Sequence, residues 1–208
     1  MIKAIVFDVG GVLLRTEDAS KRRLLENRYG LAPNSVEKLV FDSKSARDST
    51  IGLADTQNIW QEIAEKLDLS PRALQEFMED FWEGDRLDKT LLEYLKNCRP
   101  SYTTALLSNA WTDARQAFAN KFGIIDKKTV DHIIISAEEG VAKPDERIYQ
   151  ILSEKIGYEY EQILFIDDFL ENIQAAENLG MHTIHYQPNM DLINTIESIL
   201  GNEITRRE

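Results

Sequence analysis

Thiols are almost absent from this chain. Cys98 is the only cysteine among 208 residues, which excludes a disulfide within the chain and any clustered thiol site for zinc. A reducing compartment is the natural expectation. Long apolar runs are missing too: none approaches the roughly 18 residues of a membrane span, and the N-terminus enters IKAIVFD without the pattern of a cleavable leader. The expected location is therefore the cytoplasm, with no membrane partner. Positive charge is scarce, with 24 Lys and Arg against 36 Asp and Glu and a net charge of −12. Binding to a phosphate backbone depends on basic patches that release counterions, so this balance argues against nucleic acid as a partner. An anionic substrate would need local cations or a metal to overcome the overall field.

The remaining composition is that of an ordinary folded protein: 43% hydrophobic residues, 29% charged, only five prolines, and no internal repeat or low-complexity segment. The length suits one core domain carrying a modest insert. Short β-rich apolar runs recur at 3–7, 103–107, 132–135, 163–166 and 182–186, each followed by a polar loop and a helix-like segment. This alternation predicts an α/β fold, a parallel sheet with helices on both faces. Residues 15–87 break it and read as helix after helix. Asp18 or Ser20 can start one helix and Gly30 stop it; Ile59, Ile63 and Leu67 share a face of another; Ser70 before Pro71 is a favoured cap and first-turn pair. The expected organisation is a core of 1–14 and 88–208 with a helical cap at 15–87. Trp60, Phe77, Phe81 and Trp82 recur at helical spacing and are expected to form the cap's own core, and the final TRRE is expected to fray.

In parallel sheets ligands sit at the carboxyl ends of the strands. Beyond the first run comes Asp8, then Gly10 and Gly11; beyond the second, Ser108 and Asn109; after the third, Lys143 in GVAKPDERIY; and the fourth ends on Asp167 and Asp168 in FIDDFLENI. Any one of these would pass as a loop or cap residue. Together they make a chemically complementary set. Asp8 and Asp167 form a hard oxygen site suited to Mg²⁺, while Lys143 and Ser108 can hold phosphate oxygens. An ionised Asp8 beside them can attack phosphorus. His182 and His185 stand three apart on a predicted strand, so they point to opposite faces and are taken as structural.

FDVGGVL, LLSNA, Lys143 in AKPDERIY, and FIDDFLENIQAAENLGMHTI resemble, in order, the four motifs of the haloacid dehalogenase superfamily, and the resemblance covers nearly the whole chain. It implies a Rossmann-like core with strand order 3-2-1-4-5 and a helical cap over the active site. It further implies that Asp8 is a nucleophile forming an aspartyl-phosphate and that Ser108 and Lys143 bind the transferring group. Magnesium would be held by Asp8, Asp167 and the Gly10 carbonyl, with Asp168 and Asn172 in supporting positions. Asn109, Trp111, Arg15 and Arg47 are the remaining candidates for substrate binding.

One position departs from the pattern. In the family's phosphatases the residue two after the nucleophile is usually a second aspartate that protonates the leaving group; here it is Gly10. Glu17, Asp18 and Asp48 are candidate replacements. Three readings follow: a magnesium-dependent hydrolase of a small phosphate monoester, with sugar phosphates suggested by the resemblance, which is the reading preferred; a haloacid dehalogenase; or a weakly active binding or regulatory module. Two adjacent acids without a cation would repel one another and a haloacid's carboxylate, which counts against the second.

Overall fold

A computed structural model of the chain describes residues 1–205, with side chains through 201. Most of the TRRE segment therefore lies outside the described residues. Seven strands are β1 (Ala4–Phe7), β2 (Leu14–Thr16), β3 (Asp85–Leu87), β4 (Thr103–Ser108), β5 (His132–Ile135), β6 (Ile163–Asp167) and β7 (His182–His185). Five of them form one parallel sheet in the order β5-β4-β1-β6-β7. These are the five runs expected from the sequence, in the expected 3-2-1-4-5 arrangement.

The sheet is buried from both sides because successive strand residues serve different layers. Ile5, Phe7, Leu106, Ile133, Leu164 and Ile166 pack with α6 (Lys89–Cys98), α7 (Ala114–Phe122) and α11 (Leu192–Thr205). Ala4, Val6, Leu107, Ile134 and Phe165 face the opposite way, onto α9 (Glu146–Ile156) and α10 (Leu170–Asn178). Continuous apolar strands are the sequence record of this double burial.

The interruption after β1 contains five helices, α1 (Ser20–Tyr29), α2 (Val36–Phe41), α3 (Lys44–Thr50), α4 (Thr56–Leu67) and α5 (Pro71–Trp82). Their ends obey local chemistry. Gly30 closes α1 in the left-handed conformation; Asp55 and Asn58 form a reciprocal cap on α4; the Ser70 hydroxyl accepts from the Ala73 N–H at 3.3 Å, with Pro71 in the first turn of α5. A separate apolar cluster holds them together, centred on Leu25, Val40, Ile59, Trp60, Ile63, Phe77 and Phe81.

One feature of this region was not anticipated. β2 and β3 pair antiparallel, Arg15 opposite Arg86, so the helices hang from a two-stranded ribbon whose arms fall at both edges of 15–87. Three-residue strands carrying Arg, Thr and Asp have no apolar alternation to reveal them. A second attachment joins the insert to the loop after β4. Trp111, beyond β4, is inserted among insert aromatics, with ring centroids 5.7 Å from Phe41, 6.0 Å from Trp60 and 6.0 Å from Trp82. Beside it the Thr56 hydroxyl donates to Asp113 at 2.7 Å, and the Thr56 N–H donates to Thr112 Oγ1 at 3.1 Å. Gly52 presses on the short helix α8 (Ser136–Glu139): a Cβ there would stand 2.4 Å from the Ala137 carbonyl oxygen. Among the described residues, no helix is long and apolar enough to cross a membrane.

Trp111 therefore carries packing energy between the two parts of the chain. Trp111→Ala should lower stability by about 3 kcal/mol, the usual penalty for emptying a large aromatic site, read as a shift in the urea midpoint. Trp111→Phe should restore part of it, and an unchanged midpoint in the alanine variant would contradict this packing role.

Candidate active site

Parallel register sets the site. Phe7 lies opposite both Leu106 and Ile166, so the next residue, Asp8, comes level with Leu107 and Asp167, and its N–H donates to the Ile166 carbonyl at 2.8 Å. Three adjacent strands thus bring Asp8, Leu107 and Asp167 to one edge. Lys143 arrives there from the connection between α8 and α9.

The Lys143 ammonium makes three contacts, one for each of its protons: Asp8 Oδ1 at 2.9 Å, Asp167 Oδ2 at 2.6 Å and the Leu107 carbonyl at 2.9 Å. All three side chains are withdrawn from solvent, Lys143 at 1% exposure, Asp8 at 8% and Asp167 at 0%. Burial alone would lower the lysine, but the charges of Asp8 and Asp167 outweigh it and the net shift is upward, so it stays an ammonium. Burial pushes the Asp8 carboxyl up, to about 7; Lys143 pulls against that rise and the neighbouring Asp167 charge adds to it.

Asp167 is held in place by more than the lysine. Asn172 Nδ2 donates to both its oxygens at 3.0 Å, and the Phe169 N–H donates to Oδ1 at 2.8 Å. The Tyr149 hydroxyl fixes Asn172 in turn, donating to its carbonyl at 2.9 Å. Asp168 is different. Its Oδ1 is buried with no hydrogen-bond partner, and burial followed by the Asp167 charge raises its pKa. Oxygens of Asp8, Asp167 and Asp168 lie within 4.8 Å of one another. Three close carboxylates facing one ammonium leave a surplus of negative charge and an unsatisfied oxygen, which are the properties of a site that accepts a cation.

Gly10 and Gly11 border this cluster. Gly11 has φ +79°, and a Cβ there would stand 2.1 Å from Asp168 Oδ2, so only glycine lets the carboxylate lie against the loop. A Cβ on Gly10 would meet nothing within 4 Å.

The other candidates are placed as follows. Ser108 is the buried last residue of β4. Asn109 turns its amide to the backbone of Lys143, donating to its carbonyl and accepting from its N–H, both at 2.9 Å, so its side chain clamps the lysine backbone. Trp111 packs into the insert. Arg15 is engaged with Asp88 at 2.8 Å, Glu17 at 3.1 Å and the Val12 carbonyl, and Arg47 donates to the Asp42 carbonyl. Neither guanidinium is hydrogen-bonded to the carboxylate cluster. Ser136 was not expected: its hydroxyl accepts from the Ala110 N–H at 3.0 Å, tying the loop after β4 to the end of β5. The signal was available, since HIIIS ends a predicted strand on a hydroxyl as ALLS does.

A family model described as haloacid dehalogenase-like hydrolase matches residues 2–180. D-ribitol-5-phosphate phosphatase of Bacteroides thetaiotaomicron is 27% identical over 97% of this chain and 100% of its own length. Some matches are to parts of much longer proteins: the region shared with acyl-CoA dehydrogenase family member 10 of Mus musculus, 31% identical, is 47% of this chain and 9% of that one, and with bifunctional epoxide hydrolase 2 of the same species 50% and 19%. Among solved structures, a predicted haloacid-dehalogenase-like hydrolase from Porphyromonas gingivalis superposes with TM-score 0.78 and 26% identity, covering 96% of this chain and 98% of its own. An enzyme of the same family from Bacteroides thetaiotaomicron, in complex with magnesium and inorganic phosphate, has TM-score 0.73 and 23% identity, covering 92% and 97%.

The ammonium is what lets buried carboxylates stand together in the absence of a metal. Lys143→Met, measured by urea unfolding in chelator at pH 7.5, should lose about 3–5 kcal/mol, because it strips the partner from a buried pair. The deficit should shrink as the pH is lowered. With the cation gone the folded carboxyls bind protons more readily than the unfolded ones, and stability then rises as protons are added. A loss independent of pH would contradict the electrostatic account.

Proposed function

The chain belongs to the haloacid dehalogenase-like hydrolase family, and from that premise we propose that it is a magnesium-dependent hydrolase of a small phosphate monoester, acting in the cytoplasm. The observation that carries this reading is the cluster of Asp8, Asp167 and Asp168 around one buried ammonium, with Asp168 Oδ1 unpaired. Hard oxygen donors of this kind fit Mg²⁺. Asp8, Asp167 and the Gly10 carbonyl would hold it, with Asp168 beside them. Bound there, the ion would supply positive charge that keeps Asp8 ionised and offsets the charge of the phosphate.

The chain's own groups divide the work. An Asp8 oxygen forms a bond to phosphorus while the bond to the leaving oxygen breaks, its electron pair departing with that oxygen. Lys143 and Ser108 hold the equatorial oxygens; the lysine gives up one of its three present contacts to do so. Asn109 keeps the lysine backbone fixed as that happens. Water then attacks phosphorus, releasing inorganic phosphate and returning Asp8 as a carboxylate. Residues 15–87 serve as a cap over the core of 1–14 and 88–208, excluding water and choosing the substrate. Support for a phosphate ester comes from the full-length similarity to D-ribitol-5-phosphate phosphatase and from the neighbour that binds magnesium and phosphate. A sugar phosphate is the starting class. The same crowding of carboxylates sets this reading above haloacid dehalogenation, whose substrate would bring a further carboxylate to the cluster.

The test is hydrolysis of 4-nitrophenyl phosphate with MgCl₂, with EDTA, and by Asp8→Asn. Release should require the metal and fall below detection in the variant. Release that persists in EDTA or in Asp8→Asn would refute the proposal, and halide release from a 2-haloacid in EDTA would replace it with dehalogenation. Silence toward every ester would favour a binding module.

A further inference from the structure

Hydrolysis of an alkyl phosphate needs a proton for the departing alkoxide, and the structure allows each ionisable group at the sheet edge to be asked whether it has one to give. The Lys143 ammonium is already engaged by Asp8, Asp167 and the Leu107 carbonyl. Asp167 accepts from three neighbours. With Asp168 it belongs to the proposed cation site, and a carboxylate on a cation carries no proton. The Tyr149 hydroxyl donates to the Asn172 carbonyl, and burial raises its pKa. His185 Nε2 lies 3.0 Å from the Asp168 carbonyl, to which it can only donate. The carboxylates on the insert side are no better placed. Glu17 accepts from Arg15, Asp18 accepts from the Ser20 N–H and is held below its ordinary value, and Asp48 is paired with Lys44. Asp88 and Asp113 are likewise engaged, by Arg15 and Thr56. The position beside Asp8 that opens on free space, Gly10, has no side chain.

We infer that the natural substrate, taking the phosphate-hydrolase reading as given, is one whose leaving oxygen departs unprotonated because its conjugate acid is already strong. That means an acyl, enol or aryl phosphate, or a phosphate on the anomeric oxygen of a sugar, and not the phosphate of a primary alcohol. In the step, the Asp8–phosphorus bond forms, the phosphorus–oxygen bond breaks, and the leaving group keeps the electron pair as a stable anion that takes its proton later from solvent. The same shortage slows the second step, since the attacking water has no base. The phosphorylated Asp8 should therefore accumulate during turnover of a good substrate.

The experiment measures kcat/KM for a series of aryl and alkyl phosphates with Mg²⁺, in the wild type and in Gly10→Asp and Gly10→Asn. A Cβ at position 10 would meet nothing within 4 Å, and a urea midpoint measured for each variant checks that it folds. In the wild type, rates should fall steeply as the leaving group becomes more basic. Gly10→Asp should raise the alkyl rates by about 10²-fold or more relative to the 4-nitrophenyl rate of the same variant, the usual worth of a general acid. Gly10→Asn, of the same shape but with no acidic proton, should leave that ratio as it is in the wild type. Intact mass of wild-type enzyme quenched during 4-nitrophenyl phosphate turnover should show one added phosphoryl group. A shallow dependence in the wild type, unaltered by Gly10→Asp, would overturn the inference while leaving the phosphatase reading intact. No release from any ester would overturn both.

Discussion

The arrangement depends on one ammonium held in the plane where three strands end. Lys143 meets Asp8 and Asp167 from β1 and β6 and the Leu107 carbonyl from β4. Removing such charges from water is expensive, and their mutual attraction repays it only when the geometry is good and the remaining lone pairs are satisfied. That condition explains the surrounding bonds. Asn109 fixes the lysine's backbone, Asn172 and the Phe169 N–H complete Asp167, and Tyr149 fixes Asn172. A slip of one residue in the register of β1 against β6 would carry Asp8 to the other face of the sheet and leave the lysine with one carboxylate. The electrostatics of the site and the register of the sheet are therefore the same constraint.

From that constraint the division of labour follows. The core supplies fixed charges on strand ends, where movement is small. The insert is joined by a short ribbon and by the contact of Trp111 with Phe41, Trp60 and Trp82. Trp111 stands three residues beyond Ser108, and Ser136 ties the intervening Ala110 to the end of β5. Any shift of the insert thus pulls on the loop that carries Ser108. Packing and chemistry share one short connection.

Much of this was legible in the sequence, for reasons that are physical. Doubly buried strands must be continuous apolar runs, so IVF, ALL, III and LFI announce themselves, and charged or polar residues at their ends stand out against them. What the local sequence does not carry is orientation. Nothing in LLSNA says that the Asn109 amide turns back to Lys143. A large or cationic side chain near a site suggests contact with a ligand, yet in the structure Trp111 packs into the aromatic cluster and Arg15 bonds to Asp88 and Glu17. These choices are set by partners distant in the chain, Arg15 to Asp88 and Trp111 to Phe41, and a local reading has no access to them. The ribbon was missed for the opposite reason, since its strands are too short and too polar to carry a pattern.

The adjacent glycines separate two kinds of necessity. At Gly11 the backbone has a positive φ and a side chain would collide with Asp168, so the fold itself demands glycine. At Gly10 neither argument holds: its φ is not in the left-handed region and a Cβ would meet nothing within 4 Å. The turn would accept a Cβ there, and the backbone carbonyl is present whatever the side chain. The missing carboxylate is thus not a by-product of the turn. Whatever keeps position 10 bare acts through chemistry, by a substrate that has no use for a proton or by the penalty of adding a fourth negative charge to a cluster that already sets Asp8, Asp167 and Asp168 against a single lysine. These two causes point the same way, because a leaving group that departs as a stable anion makes the fourth acid unnecessary at the position where it would be electrostatically most costly.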